Sequence, residues 1–163
     1  MAGGFHLAQV NIGRILHPLD APQIADFMNN LDPINALAET QPGFVWRLQG
    51  EGGNATDIRA DDADLDLLIN MSLWRDLESL AAFVYRSHHR DFMRRRAEWF
   101  APMDVYQALW WVPRGETPTP PEGLARVAHL RAHGPSRTAF TFKSPFPAAD
   151  SDLGATPILE ECV

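Results

Sequence analysis

The chain has 163 residues, enough for one domain with a core of its own. Hydrophobic residues make up 45% and charged residues 21%, a globular balance that excludes a disordered chain. A formal net charge of -7 repels phosphate backbones and argues against nucleic acid as a partner, and no apolar run is long enough to span a bilayer.

Phe5 to Ile12 alternates without breakers and predicts a first strand, with Phe5, Leu7, Gln9 and Asn11 on one face. Pro22 opens a helix that runs to about Thr40, with Pro33 expected to kink or divide it. Pro42-Gly43 ends that helix, and Phe44 to Leu48 is a second strand. Glu51 to Asp64 reads as an acidic, Gly-rich loop. Leu65 to Trp74 is a third strand, with Leu68, Asn70, Ser72 and Trp74 sharing a face. Asp76 caps a second helix from Leu77 to about Phe100, whose apolar stripe includes Leu80, Val84, His88, Phe92 and Trp99. Tyr106 to Val112 is a fourth strand.

The order is β-α-β-β-α-β, an α+β plan of the ferredoxin-like kind. A helix over Glu122–His133 and a short strand over Ala139–Lys143 extend it at the C-terminal end. One domain over 1–147 is expected, with 148–163 as a mobile tail. An open sheet face rich in Trp and Phe predicts that two copies join sheets as a homodimer. The N-terminus lacks a basic start and an apolar stretch, so the cytoplasm is the expected compartment.

In this order the first and third strands are neighbours, which brings Gln9 and Asn11 beside Asn70, Ser72 and Trp74. Amides, a hydroxyl and an indole on one face suit a site that holds a substrate oxygen. The alternative is that the amides bridge neighbouring backbone. Trp46, Trp74 and Trp110 (or Trp111) are candidate flat walls. His88 falls on the apolar stripe and is the candidate proton carrier, while His89 falls about a hundred degrees away, towards solvent. The bland alternative for His88 is a core histidine bonded to its own surroundings. Tyr85, one turn before His89, is a candidate proton donor or an exposed tyrosine.

Other signals are weaker. His129 and His133 are one turn apart, but HLRAH lacks the glutamate of a zinc motif, and no metal is expected. Arg94, Arg95 and Arg96 read as a solvated helix end, or as a source of one arginine for an anionic ligand or a partner subunit. Asp62, Asp64 and Asp66 imitate a calcium loop, but Leu67 stands where the glycine belongs. Cys162 is the single cysteine, so no internal disulfide can form.

The segments FHLAQVNIGR, PGFVWRLQ, LINMSLWRDLESLAAFVYRSHHRDFMRRRAEWF, ALWWVPRG and LRAHGPSRTAFTFKSPFP together resemble a bacterial domain-of-unknown-function family, numbered three-two-nine-one. More distantly, SLWRDLESLAAFVYRSHHRDF resembles the antibiotic-biosynthesis monooxygenases, dimeric α/β barrels that oxidise aromatic polyketides without a cofactor. His88 or His89 matches the histidine that closes their Ser-x-His stretch. Relatives on that fold degrade haem with an asparagine on the first strand and a tryptophan and a histidine on the second helix. Asn11 matches that asparagine, whereas Phe83 and Met93 stand at the other two positions.

The resemblance implies a small-molecule enzyme, a cofactor-independent monooxygenase or isomerase acting on a flat aromatic or conjugated substrate. Asn11 and Asn70 would hold the substrate oxygen, Trp46 and Trp74 would stack, and His88 would move the proton, with Gln9, Ser72, Tyr85 and Trp110 around the substrate. A haem-handling protein with His88 as axial ligand, or a non-catalytic small-molecule-binding protein, are the alternatives.

Overall fold

A computed structural model describes residues 4–59, 63–87 and 89–148. Phe5–Arg14 is strand β1. A 3-10 turn over Pro22–Ile24 leads into helix α1, Ala25–Glu39, which runs undivided through Pro33. Strands β2 (Phe44–Arg47) and β3 (Leu67–Trp74) follow, then helix α2, Leu77–Arg86. Asp76 caps α2 by accepting from the Ser79 amide at 2.8 Å. Two short helices, α3 (His89–Arg94) and α4 (Arg96–Trp99), precede strand β4, Gln107–Pro113. Helix α5, Pro120–His133, closes the fold.

The strands form an open antiparallel sheet in the order β2-β3-β1-β4. The expected adjacency of the first and third strands is present: Gln9 pairs with Ser72, Asn11 with Asn70 and Leu7 with Trp74.

The predicted second helix is not continuous. At Ser87 the backbone is extended (φ -114°, ψ -179°), and the chain restarts as α3. The Ser87 hydroxyl donates back to the Phe83 carbonyl and accepts from the His89 amide, so it closes one helix and opens the next. The predicted final strand is also reduced, to one bridge in which Phe140 and Leu109 exchange backbone hydrogen bonds of 2.8 and 2.9 Å.

Both sheet faces are buried. Ala8, Val10, Ile12, Met71, Leu73 and Trp110 form one face, packed under Val127 and Leu130 of α5. Close approach of α5 depends on Gly123, where a Cβ would lie 3.0 Å from Val10 Cγ2 and 3.2 Å from Met71 Sδ. The apolar face expected to need a second copy is thus closed by the chain's own helix, which removes that reason for a sheet-to-sheet dimer. The opposite face carries Leu7, Trp74 and Leu109 and packs against α1 and α2. A third cluster of Ile24, Leu68, Trp99 and Phe100 seals one end of this layer.

Phe100 lies flat against β1 because residue 13 has no side chain. A Cβ on Gly13 would stand 2.5 Å from Phe100 Cδ1. Gly13→Ala is expected to destabilise the fold by about 1–3 kcal/mol, the usual cost of overpacking. Urea unfolding checks this; an unchanged midpoint would show that the ring moves aside freely.

Candidate functional site

Between β1 and β3 on one side and α1 to α4 on the other lies a cavity of about 190 Å³. Its floor is the polar row of the sheet. Gln9 Nε2 donates to Asn70 Oδ1 at 2.7 Å and to Ser72 Oγ at 3.0 Å. Trp74 Nε1 donates to the same Ser72 oxygen at 2.8 Å. Gln9, Ser72 and Trp74 are buried, and Asn70 is exposed, so the row runs from the core to solvent. Its direction matters chemically. Both amide hydrogens of Gln9 are spent along the row, leaving its carbonyl oxygen, while the Asn70 NH2 is not spent on Gln9.

The walls are aromatic. Phe83 stacks on Trp74 with centroids 5.3 Å apart and planes at 22°, and Phe44 meets Trp74 edge-on at 5.5 Å. At the other end Phe27 packs on Trp99 (5.5 Å) and edge-on against Phe100 (5.1 Å), and Phe92 packs on Trp99 (5.2 Å).

His89 borders the cavity and packs on Phe83 with ring centroids 4.8 Å apart. Its Nδ1 is buried and has no hydrogen-bond partner among the described residues. Burial lowers the imidazole pKa to about 4, opposed by a hydrogen bond to the Val84 backbone. The ring is therefore neutral at pH 7 and Nδ1 is a buried, unsatisfied position.

Arg96 enters from α4. Its Nη2 donates to the Ile12 carbonyl at 2.6 Å and Nη1 to Asn11 Oδ1 at 3.2 Å. The guanidinium lies over the Tyr106 ring at 3.9 Å and near the Phe100 ring at 5.0 Å. Burial pulls its pKa below the ordinary arginine value, with Tyr106 acting in the opposite direction. Arg47 also borders the cavity, with its Nε on Glu39 at 2.7 Å and its Nη1 on the Gly53 carbonyl.

The structure brings Gln9, Asn11, Asn70, Ser72 and Trp74 together at this cavity, as the strand pattern predicts. Three other candidates stand elsewhere. A bulge between Phe44 and Trp46 changes the parity of β2, so Trp46 pairs with Leu73 and packs on the α5 face. Trp110 is in that same core, under the Arg126 guanidinium. Tyr85 is 50% exposed and packs edge-on against Phe142, away from the cavity. His88 lies outside the described residues.

His89, expected to face solvent, faces inwards, because the break at Ser87 resets the helical phase on which its position was reckoned. A signal for that break is present in the sequence: a serine, which suits an N-cap, with the acidic Asp91 in the turn that follows, inside an apolar stripe. Arg96 stands apart from Arg94 and Arg95 for a similar reason, since the kink before α4 turns it back onto β1.

Fold and site define an α+β protein with an aromatic-walled, amide-floored cavity that has room for a small ring. The chain belongs to the family described as a domain of unknown function, DUF3291, whose model matches residues 6–155. No curated protein matches the sequence. Among solved structures, the chain is similar to a conserved protein from Methanosarcina mazei Go1, at 13% identity and a TM-score of 0.46, covering 66% of this chain and 91% of that one. A Pseudomonas aeruginosa protein is similar at 16% identity and 0.45, covering 69% and 97%. A protein of unknown function from Nitrosomonas europaea is similar at 13% and 0.42, covering 71% and 94%.

The His89 shift has a consequence for stability. Between pH 6.5 and about 4 the unfolded histidine takes up a proton that the folded one refuses. Stability from this group is therefore complete above pH 6.5 and is lost as pH falls towards 4, by an amount on the order of 2–3 kcal/mol. Urea midpoints at pH 7 and 4.5 are expected to differ less in His89→Phe than in the parent chain; an equal acid loss in both would show that His89 is not buried neutral.

Proposed function

We propose that this protein is a small-molecule enzyme of the cofactor-independent monooxygenase or isomerase type, acting on a flat aromatic or conjugated substrate. One observation carries the reading: the buried Nδ1 of His89 without a partner, at the same cavity as the aromatic walls and the Gln9–Asn70–Ser72 floor. A conjugated ring packs against the aromatic wall that Phe83 and Phe92 give the cavity. The Asn70 NH2 donates to the substrate oxygen and stabilises the enolate or phenolate form, as a donor aimed at developing charge does. His89 Nδ1 accepts the proton that leaves. In an isomerisation the proton returns to another carbon of the same substrate. In an oxygenation a ring methylene takes one atom of dioxygen to become a carbonyl, and the other leaves as water.

The ferredoxin-like, dimeric-barrel ancestry belongs to this proposal. It is supported by the strand order β2-β3-β1-β4 with two helical layers' worth of chain between the split strands. Haem handling is the weaker reading. An apolar cavity of about 150 Å³ encloses a benzene, so one of about 190 Å³ matches a single ring more closely than a tetrapyrrole. Non-catalytic binding of a flat ligand has one observation in its favour: a histidine held near 4 is a better hydrogen-bond acceptor than proton carrier at pH 7.

Oxygen uptake and absorbance changes over a panel of single-ring and fused-ring phenols and ketones test the proposal. Turnover that falls at least about 100-fold in His89→Ala, and about 10-fold in Asn70→Ala, is the expected result for a proton carrier and an oxyanion donor. Saturable binding across the panel with no turnover would leave the protein a binding module.

A further inference from the structure

In a chain with 21 acidic and 14 basic side chains, the cavity wall contains no aspartate or glutamate among the described residues, yet it contains two arginines. Those two are not equivalent. The charge of Arg47 is met by Glu39 at 2.7 Å. Among the described residues Arg96 has only neutral partners: the Asn11 amide oxygen, the Ile12 carbonyl, and the rings of Phe100 and Tyr106. Part of its donor set remains unused. A half-buried guanidinium with no counter-charge is costly, and the cost is relieved when a carboxylate meets the planar fork.

We propose that the cavity binds a single-ring conjugated carboxylate, with Arg96 as the partner of the carboxylate and Phe27 and Phe92, at the same end of the cavity, as the partners of the ring. The assignment rests on the reading of the cavity as a site for a flat ring, and adds the charge and the size of the ligand. Size follows from the volume of about 190 Å³, which is room for one ring and its substituents. Charge follows from the acid-free wall and the uncompensated Arg96. A neutral ligand of the same shape leaves the guanidinium as it stands, and a cation meets repulsion from Arg96. Asn11 has a positioning role, since its side-chain oxygen holds one arm of the guanidinium against β1.

Benzoate and its neutral isostere benzamide separate the two levels of the proposal, read by the fluorescence of the cavity tryptophans or by calorimetry. Benzoate is expected to bind at least about tenfold more tightly than benzamide to the parent chain, and Arg96→Gln to bring the two within about twofold, the size of one charge-assisted contact. Equal binding of both probes overturns the anion assignment and leaves the flat-ring reading standing. Binding of neither at millimolar concentration overturns both. A preference for benzoate that survives Arg96→Gln overturns the role of Arg96. Arg96 also anchors the Ile12 carbonyl, so the variant is checked by circular dichroism. A second measurement on the parent chain needs no variant: phenylglyoxal labelling of Arg96, mapped by peptide mass, is expected to slow at least about fivefold with benzoate and not with benzamide. Equal labelling with and without benzoate overturns the assignment.

Discussion

Strand β1 is buried on both faces, and most of the structure follows from how it meets that condition. One face is apolar and is covered by α5 at close range over Gly123. The other carries Gln9 and Asn11, whose amides must be satisfied within the fold. Gln9 finds Asn70 and Ser72 on β3, and Asn11 finds Arg96 from a helix far along the chain. The row of amides is thereby also an adhesive between the sheet and the segment that closes the cavity. The same residues that specify the pairing of β1 with β3 leave a carbonyl, an NH2 and a guanidinium facing a common space.

Two local irregularities set what else reaches that space. The β2 bulge takes Trp46 out of it and leaves Phe44 and Arg47 at its border. The break at Ser87 takes the chain through a corner, and both His89 and Arg96 owe their inward positions to the short helices that follow. Neither feature changes the order of elements. Each changes which side chain of a neighbouring pair is functional.

That distinction explains what the sequence made legible. The period-2 patterns of β1 and β3 are clean, and they placed Gln9, Asn11, Asn70, Ser72 and Trp74 on one face correctly. The assignment that carried a regular period across an irregularity failed, for His89 across a helix reset, and Trp46, named only as a candidate flat wall, is turned to the other face by one extra strand residue. Trp110 failed for another reason. Alternation in Leu109-Trp110-Trp111 is apolar on both sides, so it carries no sign of which indole meets α5. The closure of the apolar face was also invisible, because α5 looks weakly amphipathic and buries little more than Gly123, Val127 and Leu130.

The bridge between Phe140 and Leu109 has a consequence beyond packing. Strand β4 is an edge, and an edge offers a free row of N–H and C=O groups to any passing strand. Phe140 occupies the amide and carbonyl of Leu109 at the middle of that row, its ring is wholly buried, and the Trp111 indole is tied to the Phe146 carbonyl a few residues on. The segment after α5 thus works as a plug against intermolecular strand addition, and shortening the chain before residue 140 would convert a self-limited sheet into one that can grow by recruiting its own copies.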